Sequence, residues 1–270
     1  MGTPVRDSIT VIKTHAYGND FLLVSAAAVS GVMDLPALAR RACDRHTGLG
    51  ADGFMVLAEN GEGARTRLFN ADGSFSELSG NGVRCAAAWI ADSRKHKLQR
   101  ATVIGTDAGS KELTLLERAG KRYTFRAAMG AVADLCEAQI EVNGQTVTAA
   151  VMRVGNPQCV VIGPATEERL QTIAAGLSVH PFFPEGTNVE LVEVEDPDRL
   201  RILIWERGVG PTMASGTGAC AAAIAAASYG GANRSVEVVS PGGSQRVTWG
   251  SDGLWLTGWA EVVAQVEWWP

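Results

Sequence analysis

Hydrophobic and polar positions alternate with a period of two along several stretches, among them Ile9 to Thr14, Val151 to Val154, Asn188 to Val194 and Arg201 to Trp205. This is the signature of half-buried strands. Tyr123 to Arg126 and the C-terminal run Leu254 to Val266 are also strand-like. Between them lie a few helical segments. Ala86 to Ala91 and Ala221 to Ala227 are alanine-rich, and each opens directly after a Ser-Gly-x-Gly element. Leu35 to Asp44 carries Pro36 in its first turn, and Thr166 to Ala175 is its counterpart later in the chain. Strands mixed with few helices predict an α+β fold.

The pattern occurs twice. Ser79-Gly-Asn-Gly-Val-Arg-Cys-Ala-Ala-Ala88 is echoed by Ser215-Gly-Thr-Gly-Ala-Cys-Ala-Ala-Ala223 at an offset of 136, with one residue deleted. Gly18-Asn19 recurs as Gly155-Asn156 at 137, Gly50-Ala-Asp52 as Gly186-Thr-Asn188 at 136, and Phe69-Asn70 as Trp205-Glu206 at 136. Val103 to Gly109 has a fainter echo in Val238 to Gly243. Collinear matches at a nearly constant offset predict two homologous halves, 1–127 and 128–270, with the last strand packing back on the first half.

Composition narrows the function classes. With 24 basic and 29 acidic residues the net charge is −5, without long like-charge runs, so the chain has no electrostatic footprint for nucleic acid or an anionic membrane. The N-terminus has no apolar signal core, and the longest apolar run, Cys220 to Ala227, is far short of a membrane span. Five cysteines without a CxxC pair predict a reduced, cytoplasmic protein, with Cys43, Cys136 and Cys159 as small buried hydrophobes. A small-molecule substrate is favoured. His15, His46, His96 and His180 share no ligand-like spacing, so no metal is expected; no lysine falls in a pyridoxal motif, and no cofactor is expected.

Two Ser-Gly-x-Gly helix starts carry the candidate chemistry. The first N–H groups of a helix lack partners and the macrodipole is positive there, so glycines let an anion approach several donors at once. With halves related by a pseudo-twofold axis, one carboxylate would sit between both starts, and its α-carbon would see Ser79 on one side and Ser215 on the other. That suits removal of a proton from one face and return of one on the opposite face, with the helix starts stabilising the enediolate-like anion. Asn19, Asn70, Asn156 and Asn188 occupy repeat-related or adjacent places and are read as ligands for the substrate amine and carboxylate. Arg207 is the natural bidentate partner of a second carboxylate; a strand-neighbour argument directs it away from Glu206.

The sequence resembles the diaminopimelate epimerase family, of the cofactor-independent racemase superfamily. The likeness rests on Gly18-Asn19-Asp20-Phe21, Gly48-Leu-Gly-Ala-Asp52, Phe69-Asn-Ala-Asp-Gly-Ser74, Ser79 to Cys85, Gly155-Asn-Pro157, Asn188-Val189, Glu206-Arg-Gly208 and Ser215 to Cys220. The resemblance implies two pseudo-symmetric α+β halves, each a sheet wrapped around a central helix, with the site in the cleft between them. It implies that Asn70, Asn156, Asn188 and Arg207 hold the non-reacting end of the substrate, that Gly80-Asn81 and Gly216-Thr217 hold the reacting carboxylate, and that Glu206 partners the second catalytic residue. A homodimer is compatible with this reading.

In the family the residues leading the two loops are cysteines, acting as base and acid; here they are Ser79 and Ser215. A histidine usually follows Asn-Pro, and here the residue is Gln158. Pro211 replaces a glutamate, and Gly53 stands where a polar side chain is common. A thiol starts near a pKa of about 8.5, within reach of a helix terminus, whereas a serine hydroxyl starts several units higher. Protons would then pass through a hydroxyl or a water polarised by Glu206. The leading expectation is interconversion of LL- and meso-diaminopimelate. The alternatives are a related racemase, isomerase or dehydratase acting on another amino or hydroxy acid, and a catalytically silent amino-acid-binding homologue.

Overall fold

The structure, a computed structural model, describes residues 8–61, 63–77 and 79–270. The chain divides into two compact units, one taking the chain up to Ala127 together with Trp259–Pro270, the other Ala128–Gly258. The first unit contains β1 (Ile9–Ala16), β2 (Asn19–Ser25), α1 (Leu35–Cys43), β3 (Gly53–Glu59), β4 (Gly63–Asn70), β5 (Phe75–Ser76), α2 (Gly80–Ser93), β6 (Ala101–Thr106) and β7 (Gly109–Ala119), followed by β8 (Arg122–Gly130). Strands β1 and β2 pair antiparallel, β2 and β3 parallel, β3 and β4 antiparallel, β4 and β6 parallel, and β6 and β7 antiparallel.

The second unit repeats this order. It runs through β9 (Ala133–Val142), β10 (Gln145–Val154) and β11 (Asn156–Ile162) to a helical stretch made of α3 (Glu167–Arg169), a π-helical turn at Leu170–Ala174 and α4 (Ala175–Ser178). Then come β12 (Asn188–Asp196), β13 (Arg199–Glu206), β14 (Gly210–Thr212), α5 (Gly216–Tyr229), β15 (Ser235–Ser240), β16 (Gly243–Gly250) and β17 (Gly253–Trp268). The pairings β10–β11 antiparallel, β11–β12 parallel, β12–β13 antiparallel, β13–β15 parallel and β15–β16 antiparallel reproduce those of the first unit strand for strand. β9 pairs with β10, and the later part of β17 pairs with β1, from Ile9↔Trp268 to His15↔Glu261. Hydrogen bonding to β1 is what places the last residues in the first unit, where Val11 lies opposite Val266.

The alanine-rich helices are longer than their cores suggest, because each begins at the glycine after its serine cap. Ser79 has an extended backbone (φ −132, ψ 121) and accepts the Gly82 N–H at 3.1 Å; Ser215 (φ −133, ψ 131) accepts that of Gly218 at 3.2 Å. A serine oxygen satisfying the third helical N–H is a strong N-cap. Both helices are apolar nearly all round, and in α5 every residue from Gly218 to Ala226 is buried. A helix without a polar face has to be enclosed. Alanine supplies the small girth that lets strands close around it: α5 sits among Val154, Val160, Val192, Ile202, Val238 and Val247. Among the described residues no helix is long and apolar enough to cross a membrane. Cys43 and Cys159 are buried, but Cys136 is exposed, contrary to the sequence expectation, because it lies on the outward face of β9.

Strand packing around α2 requires glycine at one place. A Cβ on Gly63 would sit 1.7 Å from the carbonyl oxygen of Val103, its register partner in β6. At Gly105, in the same strand pair, the nearest atom to an added Cβ is at 3.7 Å. Gly63→Ala is therefore expected to destabilise the protein by about 1–3 kcal/mol or more, as overpacking does, and Gly105→Ala by less than about 1 kcal/mol. Urea denaturation of the two variants checks this; equal costs would contradict the packing.

Candidate functional site

The chemistry-bearing residues of the second unit converge on the start of α5. Glu206 is the last residue of β13, and the Ser215 hydroxyl at the start of α5 lies close enough to favour its anion. The Ser215 Oγ accepts the Gly218 N–H, which leaves its own proton to point to the Thr217 hydroxyl or toward the Glu206 carboxyl. Ser215 is 6% exposed and lies 3.4 Å from the Thr217 hydroxyl. Burial pushes the Glu206 carboxyl above the ordinary carboxylate range, and the nearby Ser215 hydroxyl only partly offsets it. The result is a hydroxyl beside a carboxyl of raised pKa, at a helix N-terminus whose field favours anions.

Asn188 and Arg207 form a second feature of this unit. The Asn188 Oδ1 accepts the Arg207 backbone N–H at 2.9 Å, and the guanidinium donates to the Glu185 carbonyl at 2.8 Å while its stem covers Gly186. Arg207 lies just past β13, in the turn that leads to Gly210, so its separation from Glu206 comes from the turn and not from strand alternation. Among the described residues no carboxylate pairs with it. Asn156 opens β11, and its Oδ1 is 2.6 Å from the Gln158 Nε2.

In the first unit, Ser79, Gly80 and Asn81 open α2, and a polar relay runs away from them. Arg84 donates to the Asn81 Oδ1, Asn81 donates to the Asn19 Oδ1 at 3.3 Å, and Asn19 donates to Asp52 at 2.9 Å. Asp52 and Asp20 share Arg45, and Asp20 also holds Lys13 at 2.5 Å. Burial works against the Asp20 anion, but the hydrogen bonds from Arg45 and Lys13 outweigh it and hold the carboxyl below its usual range. Asn70, at the end of β4, is exposed and donates to the Ser74 hydroxyl at 2.9 Å. The structure thus joins Asn19 with Asn81, and Ser215 with Thr217 near Glu206, while Asn70 is tied into its own turn.

Strand register corrects one repeat assignment. Phe21 lies opposite Gly53 in β2–β3, and Gln158 lies opposite Asn188 in β11–β12. The counterpart of Asn188 is therefore Gly53, and that of Asp52 is Thr187. A Cβ on Gly53 would lie 3.0 Å from the Phe21 ring, which leaves no room there for a side chain like that of Asn188. By the same register Phe21 corresponds to Gln158 and Met55 to Glu190, and Asn70 stands where Glu206 stands. In the first unit Met55 Sδ packs against Gly82; in the second Glu190 packs against Gly218. Glu190 is fully buried and was not among the candidates from sequence. The signal was present: in a run that alternates faces, a glutamate two residues after Asn188 shares that residue's face.

The cysteines do not replace the missing thiols. Burial pushes Cys43 and Cys85 up to about 12 and raises Cys159 further still. The side chains at the two helix starts are hydroxyls.

The sequence profile of diaminopimelate epimerase matches residues 11–133 and 150–263. The chain is 39% identical over 253 residues to the diaminopimelate epimerase of Moorella thermoacetica, covering 88% of this chain and 90% of that one. It is 36% identical to that of Desulfitobacterium hafniense, covering 94% and 95%. Among solved structures, a predicted epimerase from Pseudomonas aeruginosa superposes with a TM-score of 0.72 at 17% identity, covering 97% of this chain and 99% of that one. A probable proline racemase from Agrobacterium radiobacter gives 0.67 at 14%, covering 96% and 92%. The structural neighbours share the fold, and the sequence relatives decide the family: the chain belongs to the diaminopimelate epimerases.

Proposed function

We propose that this protein interconverts LL- and meso-diaminopimelate by removing the α-hydrogen from one face of the substrate and returning a proton on the other, without a cofactor. The observation that carries the reading is the buried start of α5, where the capping hydroxyl of Ser215 lies beside the Glu206 carboxyl and favours its anion. On this face the Cα–H bond breaks as the Ser215 Oγ takes the proton and passes its own to Glu206, so no alkoxide accumulates. Backbone N–H groups of Gly80-Asn81 and Gly216-Thr217 receive the carboxylate and the charge that develops on it. On the opposite face the Ser79 hydroxyl gives its proton to the carbon while taking one from a solvent water, whose hydroxide is neutralised by the proton that Glu206 releases to solvent, so Ser79 also ends as a hydroxyl. Asn70, Asn156, Asn188 and Arg207 hold the distal amino-acid end of the substrate, and Asn19 supports Asn81.

Proton NMR in D2O tests the reading. The α-hydrogen signal of diaminopimelate should disappear in the presence of the protein, while other amino acids keep theirs. Exchange confined to another amino or hydroxy acid would move the substrate elsewhere within the superfamily. Binding of diaminopimelate without exchange would make the protein a binding homologue.

Two further outcomes follow from the site. Glu206 acts as a base when ionised, and its pKa is raised, so kcat/KM should fall as pH drops through that raised pKa and stay level above it. Glu206→Gln should lower turnover by about 10²–10⁴-fold and remove that acid limb. A wild-type limb that survives in the variant belongs to another group. Arg207→Ala should weaken diaminopimelate binding by about 1.5–3 kcal/mol, and Arg207→Lys should recover only part, lacking the planar fork. Titration calorimetry reads this directly, and unchanged affinity would place the distal carboxylate elsewhere.

A further inference from the structure

Behind the start of α5 lies a polar pair that has no counterpart behind α2. Glu190 is fully buried, and among the described residues no cation pairs with it. Its carboxyl rests on Gly218 so closely that a Cβ there would come within 2.5 Å of its Oε1. Both its oxygens face one end of the buried Gln158 amide, at 3.0 and 3.3 Å; the other end of that amide is 2.6 Å from the Asn156 Oδ1 and 3.2 Å from the Thr217 hydroxyl.

These contacts admit two patterns. With an ionised Glu190, the Gln158 Nε2 must turn toward it, which leaves the Gln158 oxygen against the Asn156 Oδ1 until Asn156 turns as well. With a proton on Glu190, no amide has to turn: the acid O–H donates to the Gln158 Oε1, and the Gln158 Nε2 donates to the Asn156 Oδ1. The second pattern pairs every donor between Glu190 and the Asn156 Oδ1 with an acceptor, as buried polar groups require. It leaves Asn156 offering its NH2 group outward. In the first unit the corresponding amide of Asn19 spends its NH2 on Asp52; at the place of Asp52 the second unit has Thr187, whose hydroxyl donates to the Asn188 carbonyl at 3.0 Å.

We propose that Glu190 is a positioning residue held as a neutral acid, whose O–H fixes the Gln158 amide and thereby makes Asn156 a hydrogen-bond donor, selecting a carboxylate over an ammonium group at that point of the substrate. Burial raises the Glu190 carboxyl well above its usual range, and the negative charge of Glu206 adds to this. The Cys159 thiol, the other titratable group close by, is held protonated by burial. The chain of donors is set from Glu190 outward, so an ionised Glu190 would turn Asn156 into an acceptor and repel a carboxylate. The kinetic consequence rests on the proposed epimerase reading; the proton on Glu190 does not.

Infrared difference spectroscopy of wild type against Glu190→Gln at neutral pH tests the proton directly. The protonated-acid carbonyl band should be present in wild type and missing from the variant, and its absence from wild type would overturn the proposal. The NH2 of glutamine at 190 can replace the acid O–H as donor, so Glu190→Gln should keep KM for diaminopimelate within about threefold, whereas Glu190→Ala should raise KM about tenfold or more with a smaller change in kcat. A Glu190→Gln variant as impaired in KM as Glu190→Ala would overturn the donor role. If Glu190→Ala does not fold, the infrared band and the KM of Glu190→Gln still decide. A carbonyl band in a protein that turns over no diaminopimelate would sink the epimerase reading and leave the neutral Glu190 standing.

Discussion

A serine oxygen that takes the third N–H of a buried helix is the constraint from which the rest of each unit follows. The cap fixes where α2 and α5 begin, the glycines after it leave the first turn open to an anion, and the alanines beyond allow strands to surround the helix without gaps. The same oxygen is the candidate proton carrier. Because Ser215 Oγ accepts from Gly218, the interaction that starts the helix also holds the hydroxyl near Glu206 with its own proton left to donate. Fold and chemistry share one atom here.

The duplication is faithful in topology and unequal in chemistry. Strand pairings repeat throughout, yet the side chains behind the two helix starts differ in kind. Phe21 and Met55 make the support of α2 apolar, while Gln158 and Glu190 make that of α5 polar; Asn70 stands where Glu206 stands. Under the proposed reaction, therefore, the two helix starts need not handle protons alike. The second unit carries the carboxylic acids, and the first carries a charged relay through Arg84, Asn81, Asn19 and Asp52 that holds its loop in place.

Much of this was legible in the sequence. The repeat, the two helix starts and the strand runs could all be read from spacing and residue type, and Asn156, Asn188, Glu206, Arg207 and Ser215 were candidates on their repeat positions. The helix ends could not, since Gly80 to Gly82 and Gly216 to Gly218 have poor intrinsic propensity and are helical only because the cap and the surrounding strands hold them. The pairing of Asn188 with Gly53 also escaped, because one residue of offset between the halves is invisible until strands are in register. Glu190 looked like one more polar position in an alternating strand. Only its burial against Gly218 separates it from a solvated face.

The central claim is that Ser215 serves one face of the α-carbon and Ser79 the other. Deuterium uptake by Ser215→Ala from LL- and from meso-diaminopimelate, measured separately by proton NMR in D2O, tests it most directly. With one carrier removed, the account predicts that epimerisation stops in both directions, while α-hydrogen exchange persists for one stereoisomer, through the intact Ser79 face, and vanishes for the other. Continued epimerisation, or equal exchange from both isomers, would contradict it.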